Sequence, residues 1–535
     1  MRRATCLALV VALGSASSAQ ASEGLSLPRP PESLTRPPPG FILSGNSATA
    51  LARRQPKVQA EASKSGQLAP RVFLVGADYW LVRWYRGSSE RAAVEINGRS
   101  GRVKYAIAGR ELGWPPLARG QHGPHARALH VLLVVLGVLF LVPFVDPRSP
   151  LRPLHADLLA ILAVGLSFGF AEAGNVYAST PLMYAPLVYL AVRLSLLAVR
   201  GSRSDPRPVT WMPPRVLGGA LLTLLGLRYG LALAYGHVND VGYDTLFGAD
   251  SIIHRYPLYD PSSHLGSYGP VAYLAYVPFS LVFPFTDLSH LHPGAARAAA
   301  IAFDLGTVAM LYAIGRKLRK GAAGTELGLA LAFAFAACPW TSLVLSQSTN
   351  DGLIALLLTL ALLVATSPVG RGLVLGLAAA AKFAPLVLVG LFARVGRDRG
   401  RASPLVYGTA LAATFGLIIW AYLPDSGLRG FWDATLGYEL SRSAPFSLWG
   451  LHPELDPLRI VVTAAGAAMV GAAIFVPRER TVPRLAAAGA ALLIVAQLTA
   501  IYWYYFYLVW FVPYALVALL SSEERTVVSV SSAQD

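Results

Sequence analysis

Charge is what this sequence has least of. Of its 535 residues only 14% are Asp, Glu, Lys or Arg, while 54% are hydrophobic, and the mean hydropathy is +0.50. A soluble domain carries roughly 25% charged residues. A soluble chain is therefore excluded, and a polytopic membrane protein is expected. Acid is scarcer than base: 29 Asp and Glu stand against 45 Lys and Arg, a net charge of +16. In a membrane protein such an excess belongs to cytoplasmic loops beside anionic lipid, so no nucleic-acid partner is expected. The two cysteines are Cys6 and Cys338, which excludes a disulfide framework and a cysteine metal site. HExxH, a Walker loop, a GxSxG elbow and a Rossmann glycine pattern are all lacking. Soluble nucleotide donors are correspondingly poorly supported.

What is present begins with "MRRATCLALVVALGSASSAQA" at residues 1–21. Its basic start, short apolar core and Ala19-Gln20-Ala21 form the pattern of a cleavable secretory signal peptide. Residues 22–70 are rich in Pro, Ser and Ala and read as a disordered linker. Residues 71–127 differ. "DYWLVRWYR" and the alternation of Val94, Ile96, Val103, Tyr105 and Ile107 are strand-like, and "NGRSG" is a hairpin turn. A small extracytoplasmic, β-rich α+β module is expected, similar to small PepSY-type domains.

From Ala128 onward apolar segments recur, each long enough to cross a bilayer with some tilt. They are 128–145, 157–172, 179–199, 216–235, 297–315, 325–345, 352–367, 403–423, 458–476, 485–501 and 503–520. Two further segments, 269–286 and 371–393, are ambiguous. Five basic clusters should face the cytoplasm: Arg148/Arg152, Arg200–Arg215, Arg316–Lys320, Arg394–Arg401 and Arg478–Arg484. All five do so only if neither ambiguous segment crosses. The middle of 371–393, "AAAKFAPL", carries Lys382 and a helix-breaking Pro385, which suits a broken re-entrant hairpin. The expectation is an all-α polytopic domain over 128–521, with about 11 transmembrane helices plus juxtamembrane or re-entrant helices. A cytoplasmic tail would follow at 522–535.

This topology collects the scarce acids on one outer face. "HVNDVGYDTLFGADSIIHRYPLYD" at 237–260 supplies Asp240, Asp244, Asp250 and Asp260. Asn350 and Asp351 come from "SQSTND", and Glu439 and Arg442 from "LGYELSRSAPFSLWG". A carboxylate at an apolar boundary loses hydration and becomes a usable base. Asp240 and Asp244 share a helical face if the helix continues. Either can hold a metal, or the two can divide the roles of base and hydrogen-bond acceptor. The bland alternative is helix capping, which also fits Asn350 and Asp351; Asp260 reads as a turn residue. Arg442 lies on the wrong side for the positive-inside rule, and its planar fork suits phosphate. Lys382 can contact phosphate as a point charge or snorkel to the interface. The aromatic run at 502–511 reads as an interfacial belt. Asp304 lies within a span and should be paired, with Arg297 or a backbone group.

Taken together, "VNDVGYDTLFGAD", "RYPLYD", "SYGPVAYLAYVPF", "AFDLG" before "GRKLRK", "SQSTNDG", "GLAAAAKFAPL" and "GYELSRSAPFSLWG" resemble the GT-C integral-membrane glycosyltransferases that use polyprenyl-phosphate sugars. The resemblance covers roughly residues 215–520. It implies a hexosyltransferase, mannosyltransferase-like, moving sugar to a lipid or glycan acceptor of the envelope with inversion. It implies Asp240 as general base, with Asp250 or Asp351 as the second acidic position. Arg442 and Lys382 would meet the donor phosphate, and Asp244, Asn350, Asp351, Tyr502 and Trp503 would contact substrate. It makes no cofactor certain. A divalent cation, Mg or Mn, stays open, with Asp240, Asp250 and Asp351 as candidate ligands. The enzyme would sit in a bacterial cytoplasmic (inner) membrane with its site facing outward. The alternatives are a multi-spanning transporter or lipid flippase, and a non-catalytic envelope scaffold.

Overall fold

The structure, a computed structural model, describes residues 28–119, 126–146, 149, 151–201, 209–259, 266–284, 294–395 and 402–521. The expected signal peptide, the tail at 522–535 and Asp260 lie outside these residues. The chain divides into two compact units, Met1–His122 with Glu172–Gly174, and the remainder.

The first unit holds two helices, α1 (Gly45–Arg53) and α2 (Pro56–Ser65), and four strands, β1 (Ala69–Val75), β2 (Tyr79–Arg86), β3 (Ser89–Asn97) and β4 (Val103–Ala108). The strands form an antiparallel meander in sequence order. Their period-2 pattern explains the burial: Trp80, Val82 and Trp84 of β2 join Val94 and Ile96 of β3 in one core with Ala48, Ala52 and Val58 of the helices. Leu81, Ala93 and Ile107 form a second, smaller cluster. The Trp80 indole also donates to the Leu43 carbonyl at 3.0 Å. Part of the expected linker is thus folded. Its alanines at 48 and 52 lie one turn apart and are fully buried, an apolar stripe that composition alone conceals. At the β1 edge, Arg29 pairs with Leu74 by two backbone hydrogen bonds of 2.9 and 2.8 Å.

The second unit is helical. It opens with α3 (Ala126–Leu141), α4 (Pro153–Glu172), α5 (Val176–Arg200) and α6 (Pro214–Tyr235). Then come α7 (Asp240–His254) and two short helices, α8 (Pro270–Leu274) and α9 (Val277–Val282). The centre is α10 (Gly294–Leu318), α11 (Gly321–Ala337), α12 (Pro339–Ser346), α13 (Asp351–Leu363), α14 (Pro368–Ala381) and α15 (Val389–Phe392). The last part holds α16 (Ala402–Ala421), α17 (Gly427–Trp432), α18 (Tyr438–Ser441), α19 (Leu448–Leu451), α20 (Asp456–Ala472), α21 (Val482–Thr499) and α22 (Leu508–Leu520).

Among the described residues, 7 helices are long and apolar enough to cross a membrane, and α11 with α12, bent by 57°, makes an eighth. Shorter apolar helices, Leu129–Leu141, Asp351–Leu363 and Tyr505–Leu520, occupy the other three expected spans. Neither ambiguous segment is one span-length helix. The first is split into α8 and α9, and the second breaks at Lys382, whose φ of −142° and ψ of 147° leave the helix. A 3-10 turn with Pro385 follows.

Small residues let these helices approach closely. Gly372 and Gly376, one turn apart on α14, face α16; a Cβ at Gly372 would lie 2.6 Å from the Tyr407 carbonyl oxygen. Within the bundle Asp304 of α10 is paired, but not with Arg297. Its carboxylate receives the Arg228 guanidinium and the Tyr229 hydroxyl, the latter at 3.0 Å, both from α6. Arg228 also donates to Thr341 and Ser342 at 3.0 and 2.9 Å. Arg297 instead donates to the carbonyls of Leu233 and Gly236 at 2.9 and 2.6 Å. Sequence neighbourhood suggested the nearer arginine, whereas the helix packing brings the other one to the carboxylate.

Candidate active site

The candidate site is built where three chain breaks meet. The first is the entry to α7. Asn239 caps that helix, its side chain accepting from the Gly242 amide at 3.0 Å. The loop before it is pinned to the turn between α12 and α13: the His237 amide donates to Ser346 at 2.8 Å and the Asn239 amide to Gln347 at 3.2 Å. That turn passes through Ser348, buried and left-handed with φ of 49°. For a residue with a Cβ this conformation is sparsely populated, and it persists only when surrounding contacts hold it.

The second break is Lys382. The Gly269 amide donates to the Ala381 carbonyl at 3.1 Å, and a Cβ on Gly269 would lie 2.1 Å from the Ala380 oxygen. Only glycine lets this strand of chain lie against the end of α14, and it carries Tyr268 to Lys382. The ammonium sits over the rings of Tyr268, Trp510 and Tyr507, at 4.9, 5.4 and 5.7 Å from their centroids. Its counter-charge is Asp351, 2.6 Å away and 1% exposed. The same carboxylate oxygen accepts from the Trp510 indole at 2.9 Å. Trp510 is stacked on Tyr507, 4.2 Å between centroids. Each charge is thus desolvated but matched, and cation–π attraction is strongest where water is excluded.

The third break precedes α18. A π-helical stretch, Asp433–Gly437, leads into it; such widened turns re-aim side chains. Glu439 and Arg442 follow, paired at 3.2 Å. The Arg442 guanidinium sits over the Tyr502 ring, 4.0 Å from its centroid. Burial pushes the Tyr502 hydroxyl up to about 12.

Beside the second and third breaks lies a cavity of about 390 Å³. Lys382, Glu439, Arg459, Tyr502, Tyr507 and Trp510 are among its lining residues. It therefore presents two cations, one carboxylate and aromatic side chains to one cavity. Sugars pack apolar ring faces on aromatics, and phosphates take Arg and Lys.

The sequence-predicted residues fall into distinct environments. Lys382 and Tyr502 line the cavity, and Arg442 packs on Tyr502. Asp351 stands behind Lys382. Asn350 is buried and donates to Thr245 at 3.2 Å; its side-chain oxygen has no described partner. Asp244 accepts from the Gly266 amide and the Tyr273 hydroxyl, both at 3.3 Å. Burial raises its pKa to about 6, aided by the nearby charges of Asp240 and Glu439. Asp240 is exposed at the start of α7 and accepts from the Val241 amide at 3.0 Å. Asp250 is apart from the cavity lining and pairs with His254 at 3.1 Å. Trp503 is fully buried and donates to Gln497 at 3.0 Å, which in turn donates to the Tyr507 carbonyl at 3.0 Å. Among the described residues no three His, Cys, Asp or Glu side chains are grouped to hold a metal. Asp240, Asp250 and Asp351 do not converge as metal ligands.

Sequence reasoning did not single out Tyr268, Gln497, Tyr507, Trp510 or Arg459. Tyr507 and Trp510 lay within the run read as an interfacial belt. Arg459 carried a usable signal: like Arg442, it is a positive charge on the acid-rich side of the expected topology.

Span-length apolar helices make this an integral membrane protein, and its cavity gathers two cations, a carboxylate and aromatic rings. Residues 267–522 match glycosyltransferase family 87, a GT-C type family of membrane glycosyltransferases. Over that region the chain is a glycosyltransferase, and the transporter and scaffold readings give way. No curated protein and no solved structure matches the chain. The matched region contains Asp351, Lys382, Glu439, Arg442, Arg459 and Tyr502; Asp240, Asp244 and Asp250 lie before it.

Proposed function

We propose that this glycosyltransferase moves a hexose, with mannose the first to test, from a polyprenyl-phosphate donor to a lipid or glycan acceptor of a bacterial envelope. The cytoplasmic membrane would hold it with the cavity facing outward. The single observation that supports this reading is the cavity of about 390 Å³ carrying Lys382, Arg459 and Glu439 among aromatic rings. Donor, acceptor and sidedness are the proposal's own content.

In the proposed reaction the acceptor hydroxyl gives its proton to the Asp240 carboxylate as its oxygen bonds to C1 of the sugar. The C1–O bond to phosphate breaks, and its electron pair stays on the departing polyprenyl phosphate. One in-line displacement inverts the anomeric carbon. Lys382 and Arg442 oppose the charge that builds on the leaving oxygen, and pre-set cations do this without reorganising at the moment of reaction. Asp240 suits the base role because it is exposed at the helix start yet close enough to act on Tyr502 electrostatically. Asp244 is already committed to Gly266 and Tyr273.

Purified protein incubated with labelled polyprenyl-phosphate mannose and a lipid extract tests this. Release of polyprenyl phosphate with a new labelled, anomerically inverted glycoconjugate is expected. Intact donor that merely crosses vesicles would overturn it.

A further inference from the structure

Arg459 lines the cavity together with Thr463, four residues on, so one face of α20 forms a wall. The rest of α20 has little protein around it. Only 6% of its span window is buried, the lowest share among the seven span-length helices. Leu458, Ile460 and Val461, on the flanks of Arg459, are 51%, 60% and 64% exposed. The cavity is therefore closed on this side by one helix whose outer surface is apolar.

An arginine on such a helix is expensive unless it is solvated, paired or used. Its Nε donates to Asp456 at 2.6 Å. That bond fixes one edge of the guanidinium, and the terminal nitrogens have no described partner. Lys382 differs, since its ammonium is bonded to a buried carboxylate. Of the two cations in the cavity, Arg459 is the one with a free planar fork, the group that matches phosphate oxygens two at a time.

We infer that Arg459 captures the phosphate of the lipid-linked substrate as it enters from the membrane beside α20. This deepens the proposed function and rests on it. The side chain is a binding residue that acts before chemistry, with Lys382 left to act on the reacting phosphate. A merely snorkelling arginine would keep α20 in register and do nothing for the substrate.

The test uses the full chain in lipid nanodiscs with polyprenyl-phosphate mannose as varied substrate. Arg459→Gln should raise the donor KM about tenfold, the usual scale for losing a charge-assisted pair. Its kcat should stay within about threefold, and its melting temperature within about 2 °C. Arg459→Lys should recover part of the KM. An unchanged donor KM in Arg459→Gln would overturn the inference, as would a loss confined to kcat. Binding of polyprenyl phosphate itself is measured in parallel, and equal affinity in wild type and Arg459→Gln would also overturn it. Wild-type protein inactive with every lipid donor would sink the broader reading, whereas active wild type with an indifferent Arg459→Gln sinks only this one.

Discussion

Asp351 and Lys382 come from helices separated by a bilayer-scale excursion of chain, yet their charged atoms lie 2.6 Å apart with Trp510 bonded to the same oxygen. The pair fixes the ammonium in the cavity wall. Removing one partner of such a pair strands the other charge, typically at about 3–5 kcal/mol.

Lys382→Met should therefore lose at least about 100-fold in kcat and also lower the melting temperature. Asp351→Asn should keep the Trp510 bond but strand the Lys382 charge, so it too should lower the melting temperature while letting the lysine drift. Its signature is a fall in kcat with an altered pH profile. Steady-state kinetics across pH, beside thermal unfolding in detergent, separate the two; equal kcat in Asp351→Asn and wild type would remove its positioning role.

Asp240→Asn should abolish transfer, by at least about 100-fold, as expected for loss of a general base. Its side chain is exposed, so the melting temperature should not move. Undiminished turnover by this variant would exclude Asp240 from proton transfer and turn attention to Glu439.

Asp244 gives a pH prediction with a definite sign. Its folded pKa is about 6 against 3.8 for the unfolded group. The folded state therefore binds the proton more tightly, so its contribution to stability is full below about 4 and is lost as pH rises through about 6. Stability should fall by up to about 2 kcal/mol between pH 4 and 7 from this group. Asp244→Asn should flatten that part of the profile, which melting curves at successive pH values would reveal.

Gly269→Val should damage activity more than stability. A Cβ there would meet the Ala380 carbonyl, and the chain must shift, taking Tyr268 off the Lys382 ammonium. Turnover measured against the folded fraction is the check; proportional losses would mean that the contact serves only the fold.

The bundle's Arg228–Asp304 pair should behave differently. Arg228→Met should destabilise by about 3 kcal/mol, leaving the carboxylate buried and unmatched. The double change Arg228→Met with Asp304→Leu should regain much of that loss. Activity per folded molecule should be unaffected, since neither residue lines the large cavity.

The helical class and the break at Lys382 were legible because apolar length and a proline at 385 are local signals. Arg442 stood out as a charge on an unexpected side, and Lys382 through its place at the break; Tyr502 came only from the family resemblance. Other features were not legible. Asp304 chose Arg228 through helix packing that no local spacing encodes. The folded helices at 45–65 were hidden by a composition rich in Ser, Ala and Pro, in which only Ala48, Ala52 and Val58 mark the inner face. Tyr507 and Trp510 read as a belt because aromatic runs look alike whether they meet lipid or a cavity; their orientation depends on the turn before α22.

The Arg29–Leu74 pairing has a consequence for how this protein lives among its neighbours. A bare outer strand is a template on which a foreign chain can zip. Here the guard residue is flanked by Pro28 and Pro30, which have no amide hydrogen to offer. The bridge thus covers the Leu74 end of the outer strand with a proline-flanked segment that has few amides to offer, which disfavours accidental cross-β growth at that end.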